Sequence, residues 1–189
     1  MSLPAKPVAL LYDDQQQMLA ELQVREPSFH STLQTMLPKV LLLAAASEFE
    51  YYVCLHLRDY VRDHVTAPGI VSLVDRKAIN RQYHTYFDWP NKKAGPFWAL
   101  FGKDQKKEIE VEIAAKEPIR EGLQSFLEVG SVRNELVHSN YATYTLNKTL
   151  EEVYELYRKG SAFVDELPRL LRVSADASDQ ITAATRGPR

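Results

Sequence analysis

Apolar residues recur along the chain at three- and four-residue spacing, in blocks divided by prolines and by one crowded run of aromatics. That spacing is the signature of helices with one face turned to a core, and the alternating apolar-polar pattern of half-buried strands is missing over long stretches. A first helix is expected from about Val8 to Leu22, ending before the Glu26-Pro27 break. A second opens at Pro38, where a missing N–H in the first turn costs nothing, and continues to about Val65, stopping before Pro68-Gly69. Leu43, Ala46, Val53, Leu57 and Val61 form its stripe.

The segment from Ile70 to Gly102 carries Tyr83, Tyr86, Phe87, Trp89, Phe97, Trp98 and Phe101, interrupted by Pro90, Gly95 and Pro96. It reads as short helices with a structured connection, closed by Gly102 as a C′ residue. A helix follows from Asp104 to Ala115, and another from Pro118 through Ile119, Leu123, Phe126, Leu127, Leu136 and Val137. Thr149 with Glu152 matches a capping box and opens the last helix, whose stripe is Val153, Leu156, Tyr157, Phe163, Val164 and Leu167, with Pro168 near its end. Beyond Ser174 the pattern dissolves into small and polar residues. The expectation is an all-α helical bundle over residues 1–173 followed by a disordered tail, 174–189.

Composition narrows the setting. A chain of 189 residues is one domain by length and buries roughly 70% of the surface its unfolded form exposes. Cys54 is the sole cysteine, so no intramolecular disulfide forms, and a reducing, cytoplasmic location is expected. The segment from Met1 to Leu11 lacks the apolar run of a signal peptide, and the longest uninterrupted apolar stretch, Val40 to Ala46, is too short to cross a bilayer. Net charge is −2, so a nucleic acid would have to be held by a local patch rather than a global basic field. There is no metal-ligand constellation, no glycine-rich phosphate loop and no implied cofactor. His30, His64 and His84 read as surface or packing histidines.

One short segment carries candidate chemistry. Asn134 and His138 lie four apart, on one helix face, with Arg133 about 100° round and able to reach the same region. RNA cleavage asks for such groups: a base for the 2′-hydroxyl proton, an acid for the leaving 5′-oxygen, and a cation for the developing phosphoryl charge. Histidine can serve as base or acid near neutrality, and arginine matches phosphate oxygens bidentately. By spacing alone, the bland reading is an ion-paired arginine and a helix-end histidine favoured by the macrodipole. Glu50 has Leu43, Ala46, Val53, Cys54 and Leu57 at helical spacing, which points it inward and makes Arg133 its expected partner. Glu48 is less clearly forced inward.

The run Arg133-Asn134-Glu135-Leu136-Val137-His138 resembles the HEPN motif, and Ser47-Glu48-Phe49-Glu50-Tyr51-Tyr52 resembles the acidic stretch of an early HEPN helix. The region from Tyr86 to Gly102 further resembles the RiboL-PSP-HEPN subgroup, the likeness extending from about Leu37 to Leu167. The resemblance implies a homodimeric bundle with its motif helices near the two-fold axis, and a metal-independent endoribonuclease of toxin–antitoxin, restriction-like or antiviral type. Arg133, Asn134 and His138 would be catalytic and Glu50 an orienting partner. Because the motif supplies one histidine per chain, an isologous dimer would bring the second.

An antitoxin or regulatory protein is a further expected partner, and a catalytically inactive module binding RNA or a protein is the alternative. In one HEPN branch a tyrosine two residues after the histidine is the target of a nucleotidyltransferase antitoxin; here Asn140 stands there and Tyr141 follows. Tyr141, Arg76, Lys77 and Arg81 are candidate RNA contacts, and Lys92-Lys93, Lys103 and Lys106-Lys107 a candidate phosphate rim. Tyr83, Tyr86 and Trp89 could stack bases, although closing the bundle core is the favoured role for the aromatics. Deleting residues 174–189 is expected to leave the thermal melting midpoint unchanged, as differential scanning calorimetry would show.

Overall fold

The computed structural model describes residues 6–173, so the expected tail lies outside the described residues. Eight α-helices follow one another: α1 (Pro7–Arg25), α2 (Pro27–His64), α3 (Pro68–Val74), α4 (Tyr83–Tyr86), α5 (Gly95–Ala99), α6 (Lys103–Ala115), α7 (Glu117–His138) and α8 (Leu150–Leu170). A π-helical turn, Asp75–Ile79, continues α3. Among the described residues there is no strand, only an isolated antiparallel bridge between Asp88 and Lys93. The fold is all-α.

The core lies where α2, α7 and α8 meet. Leu41, Leu42, Ala45, Phe49 and Val53 supply the face of α2, Phe126, Val129 and Leu136 that of α7, and Val153, Phe163, Val164 and Leu167 that of α8. All recur at helical spacing, so each helix presents one continuous apolar stripe to the others. α7 and α8 approach closely because Gly122 and Gly160 carry no side chain where the two helices meet. A Cβ at Gly122 would stand 2.8 Å from the Lys159 carbonyl oxygen and 2.9 Å from the Phe163 Cβ. The capping box opens α8 as expected: the Glu152 amide donates to Thr149 Oγ1 at 3.2 Å and the Thr149 amide to Glu152 Oε2 at 2.7 Å.

Two expectations need correction. α2 does not open at Pro38 but at Pro27, which takes the first-turn position, leaving Pro38 inside the helix. The break between α1 and α2 is the single residue Glu26, at φ −142° and ψ 72°. The eleven residues before Pro38 carry little apolar stripe, and most of them, Phe29 and Met36 included, are exposed. A periodicity search therefore starts the helix only where its burial starts. Second, by length and composition α2 does meet the measure of a membrane-spanning helix, with a mean hydropathy of 1.4 over its most apolar window. The same residues that raise that value, Leu41, Leu42 and Ala45, are fully buried inside this bundle.

The aromatic segment closes one side of the core. Tyr86, Phe87, Trp89, Phe97 and Trp98 are each no more than 5% exposed. Phe87 packs edge-on against Phe126 of α7 with ring centroids 5.0 Å apart, and Trp98 meets Phe163 of α8 at 6.4 Å. The Tyr86 hydroxyl donates to the Ala78 carbonyl at 2.5 Å, tying this segment to the π turn. Gly102 is not the C′ residue expected of it: α5 ends at its C-cap Leu100, and Gly102, at φ +96° and ψ 165°, is instead the N-cap residue of α6, a backbone conformation that favours glycine.

The close approach of α7 and α8 yields a test. Gly122→Ala would force the helices apart and should lower stability by about 1–3 kcal/mol, read from urea denaturation. An unchanged midpoint would show that the helices separate freely.

Candidate active site

The last two turns of α7 build the site. Val129, Val132 and Leu136 are buried and fix the rotation of the helix, which leaves Arg133 and Asn134 half-buried on its flank and His138 exposed as its final residue. All three open onto one cleft of about 720 Å³. Leu43, Ala46, Ser47 and Glu50 of α2 form a second wall, and Arg81, Tyr83, His84 and Trp89 of the aromatic segment a third. That volume lies within the range of small-ligand and cofactor sites, ample for one nucleotide unit.

Arg133 Nη1 donates to Asn134 Oδ1 at 3.1 Å. This bond holds the guanidinium beside the carboxamide, and among the described residues the other guanidinium N–H groups and the Asn134 amide hydrogens have no side-chain or backbone partner. Glu135, on the far side of the same turn, accepts from the Tyr144 hydroxyl at 3.3 Å and so fastens the chain leaving α7. Burial pushes the Tyr83 phenol well above its ordinary range, with Glu50 and Cys54 adding to the effect and Arg133 opposing it. Tyr83 is therefore a neutral hydroxyl at physiological pH, a donor and not a base.

Trp89 joins the aromatic segment to α7. Its indole lies on Gly130, one turn before Arg133, where any Cβ would collide with the six-membered ring. Its Nε1–H donates to the His84 carbonyl at 3.1 Å. Arg81, just upstream, adopts the left-handed backbone region at φ 62°, unusual for a non-glycine residue.

The acidic residues of α2 exchange the roles expected of them. Glu50 is exposed on the cleft wall, and among the described residues it makes no ion pair with Arg133 within 4.0 Å. Glu48 is the carboxylate held inward: it accepts from the Tyr157 hydroxyl at 2.7 Å and from the Val8 amide at 3.3 Å. The two lie about 200° apart on the helix. Which of them turns inward depends on α1 and α8 packing over Glu48, and the pattern along α2 alone does not reveal that.

Of the candidate RNA contacts, Arg81 lines the cleft and the others do not. Arg76 and Lys77 are exposed on the π turn. Tyr141 is turned to α2, where the buried Lys39 donates to its carbonyl at 3.2 Å and stands 5.2 Å from its ring centroid. Of the candidate lysine rim, Lys92 is paired with Glu128, which Lys148 also reaches at 3.2 Å, and Lys106 stands 3.7 Å from Glu110. Lys93, Lys103 and Lys107 are exposed. Among the described residues no three His, Cys, Asp or Glu side chains are grouped as metal ligands.

His84, which by sequence reads as a surface or packing histidine, is exposed and lines the cleft. Its link to the motif runs through Trp89, and no spacing in the chain encodes that. The available signal was Gly130: a glycine inside a helix is disfavoured by about 1 kcal/mol and marks a close approach.

Comparison with protein families returns the RiboL-PSP-HEPN model over residues 11–172, from the first turns of α1 to just past α8. The chain belongs to the RiboL-PSP-HEPN family. No curated protein and no solved structure gives a significant match. HEPN domains are often ribonucleases, so membership gives this cleft an RNA-related reading. In this HEPN domain the motif Arg133, Asn134 and His138 share one cleft, and Trp89 forms part of its wall.

The seat of Trp89 can be tested directly. Gly130→Ala should dislodge the indole, shifting tryptophan emission to the red and lowering stability by about 1–3 kcal/mol. Unaltered emission would mean that the indole has another place to rest.

Proposed function

We propose that this HEPN domain is an endoribonuclease of toxin or defence type that cuts RNA without a metal ion, through attack of the internal 2′-hydroxyl on the adjacent phosphorus. The observation that carries the reading is the cleft shared by Arg133, Asn134 and His138, with Arg81 beside them. Arg133 would stabilise charge on the phosphoryl oxygens, Asn134 would position them, and His138 would transfer a proton as base or acid. A chain of net charge −2 gains a locally cationic cleft from Arg81 and Arg133, against the single acid Glu50.

A homodimer belongs to this reading. Met36, Val40 and Leu43 follow one another at helical spacing on α2, and Val137 stands on α7 at the cleft edge. Met36, Val40 and Val137 are exposed, an apolar margin that a second copy of the chain could cover. An antitoxin or other regulatory protein competing for the cleft would restrain the activity.

The test is cleavage of single-stranded RNA by the purified protein in EDTA, with analysis of product ends. The products should carry 2′,3′-cyclic phosphates and 5′-hydroxyls. His138→Ala should slow cleavage by roughly a hundredfold or more. Arg133→Lys should slow it on the order of a hundredfold, because a point charge cannot reproduce the bidentate fork. A requirement for magnesium, or products with 5′-phosphates, would overturn the mechanism. Tight RNA binding without turnover would leave a binding module in its place.

A further inference from the structure

We propose that a second cavity, between α2 and the connection from α7 to α8, holds the phosphate of a nucleotide, with Lys39 as the cation that receives it. This cavity shares no lining residue with the motif cleft.

The observation behind it is a buried charge without a counter-charge. Lys39 is only 8% exposed. Charged side chains at that depth are ordinarily paired, because taking an ammonium out of water is costly. The Lys39 ammonium donates to the Tyr141 carbonyl at 3.2 Å and stands 5.2 Å from the Tyr141 ring centroid. Among the described residues it has no carboxylate within 4.0 Å. The carbonyl occupies one N–H donor and the ring face adds attraction, but neither neutralises the charge. An anion in the cavity would supply both the missing charge and the missing acceptors.

The walls suit a nucleotide. The cavity measures about 570 Å³, within the range of small-ligand sites. Gln34 and Thr35 of α2 and Thr143, Thr145 and Asn147 of the connection line it with hydroxyl and amide groups, of the kind that bind phosphate oxygens and sugars. The other charges on the wall already have partners. Lys148 meets Glu128 at 3.2 Å, Glu152 accepts from the Thr149 amide at 2.7 Å, and Glu151 accepts from Gln16 of α1 at 2.6 Å. Both of these carboxylates are thus held at the start of α8, and the positive charge is presented from the α2 wall.

Two sources offer this phosphate. One is a free nucleotide, which needs nothing from the motif cleft. The other is an RNA strand continuing past that cleft, and this source rests on the ribonuclease reading. The connection begins directly after His138, and the Asn140 carbonyl accepts from the Thr143 and Tyr144 amides at 3.1 and 2.8 Å. That tight turn keeps Ala142, on the cavity wall, close to the end of α7.

The experiment compares wild type, Lys39→Met and Lys39→Gln, with circular dichroism as the check on folding. Methionine keeps the apolar stem and removes the ammonium. Glutamine removes the charge yet keeps an N–H for the Tyr141 carbonyl, so it separates a structural tie from a binding charge. Adenosine 5′-monophosphate is titrated by calorimetry, and a labelled single-stranded RNA with 2′-O-methyl groups by fluorescence anisotropy at several salt concentrations. A saturable complex with the mononucleotide, weakened roughly tenfold or more by both substitutions, assigns the site to a free nucleotide. RNA binding weakened by both, with the logarithmic salt slope smaller by roughly 0.7 and no mononucleotide complex, assigns it to the strand. Equal binding of both ligands by wild type and Lys39→Gln would overturn the proposal and leave Lys39 as a tie for the connection. Failure of wild type to bind either ligand would overturn it too. Cleavage of unmethylated RNA by the same preparations keeps the two readings apart: cutting with unchanged binding in Lys39→Gln removes this site and leaves the ribonuclease standing.

Discussion

Trp89 can pack against α7 only because Gly130 has no Cβ, and both walls of the cleft take their positions from that contact. On one side the indole packs with Phe87 at 4.8 Å and Phe126 at 5.9 Å, so it belongs to the core. On the other its N–H fixes the backbone at His84. A rigid aromatic at the seam passes the rotation of α7, set by Val129, Val132 and Leu136, to a segment that has little regular structure of its own. The penalty of a helix-interior glycine is accepted where it brings two distant parts of the chain into register.

Charge is distributed with similar economy. Lys92 and Lys106 stand against acids, and Lys39 is spent on a carbonyl, which leaves Arg81 and Arg133 as the cations of the cleft itself. For single strands the logarithm of affinity falls with salt by roughly 0.7 per phosphate neutralised. On the proposed ribonuclease reading, two guanidinium groups would give RNA binding a shallow salt dependence. Preference for a particular RNA would then come from base contacts and shape rather than from backbone attraction.

Much of this was legible in the sequence. The stripes of α2, α7 and α8 and the Thr149–Glu152 cap follow local rules and appear where those rules place them. So does the convergence of Arg133, Asn134 and His138, because four residues of helix fix their relative direction. The misplaced features depend on partners distant in the chain. Glu48 turns inward because Tyr157 and the Val8 amide meet it there, and Glu50 stays on the cleft wall. His84 reaches the site through an indole, and Tyr141 is drawn away from it by Lys39. Periodicity reports which face of a helix is buried and is silent on which neighbour does the burying.

Pro38 divides α2 into two thermodynamic regions. The ring removes the amide that would bind the Gln34 carbonyl, so the hydrogen-bond ladder is interrupted just where the helix enters the core. Before that gap the helix is largely exposed and leans on α1, with Leu19 and Leu33 only partly buried; after it, Leu41, Leu42 and Ala45 are sealed. The outer arm can open and close as a local unit whose free energy of opening lies below that of global unfolding. The interrupted ladder keeps that fraying from spreading into the wall of the cleft.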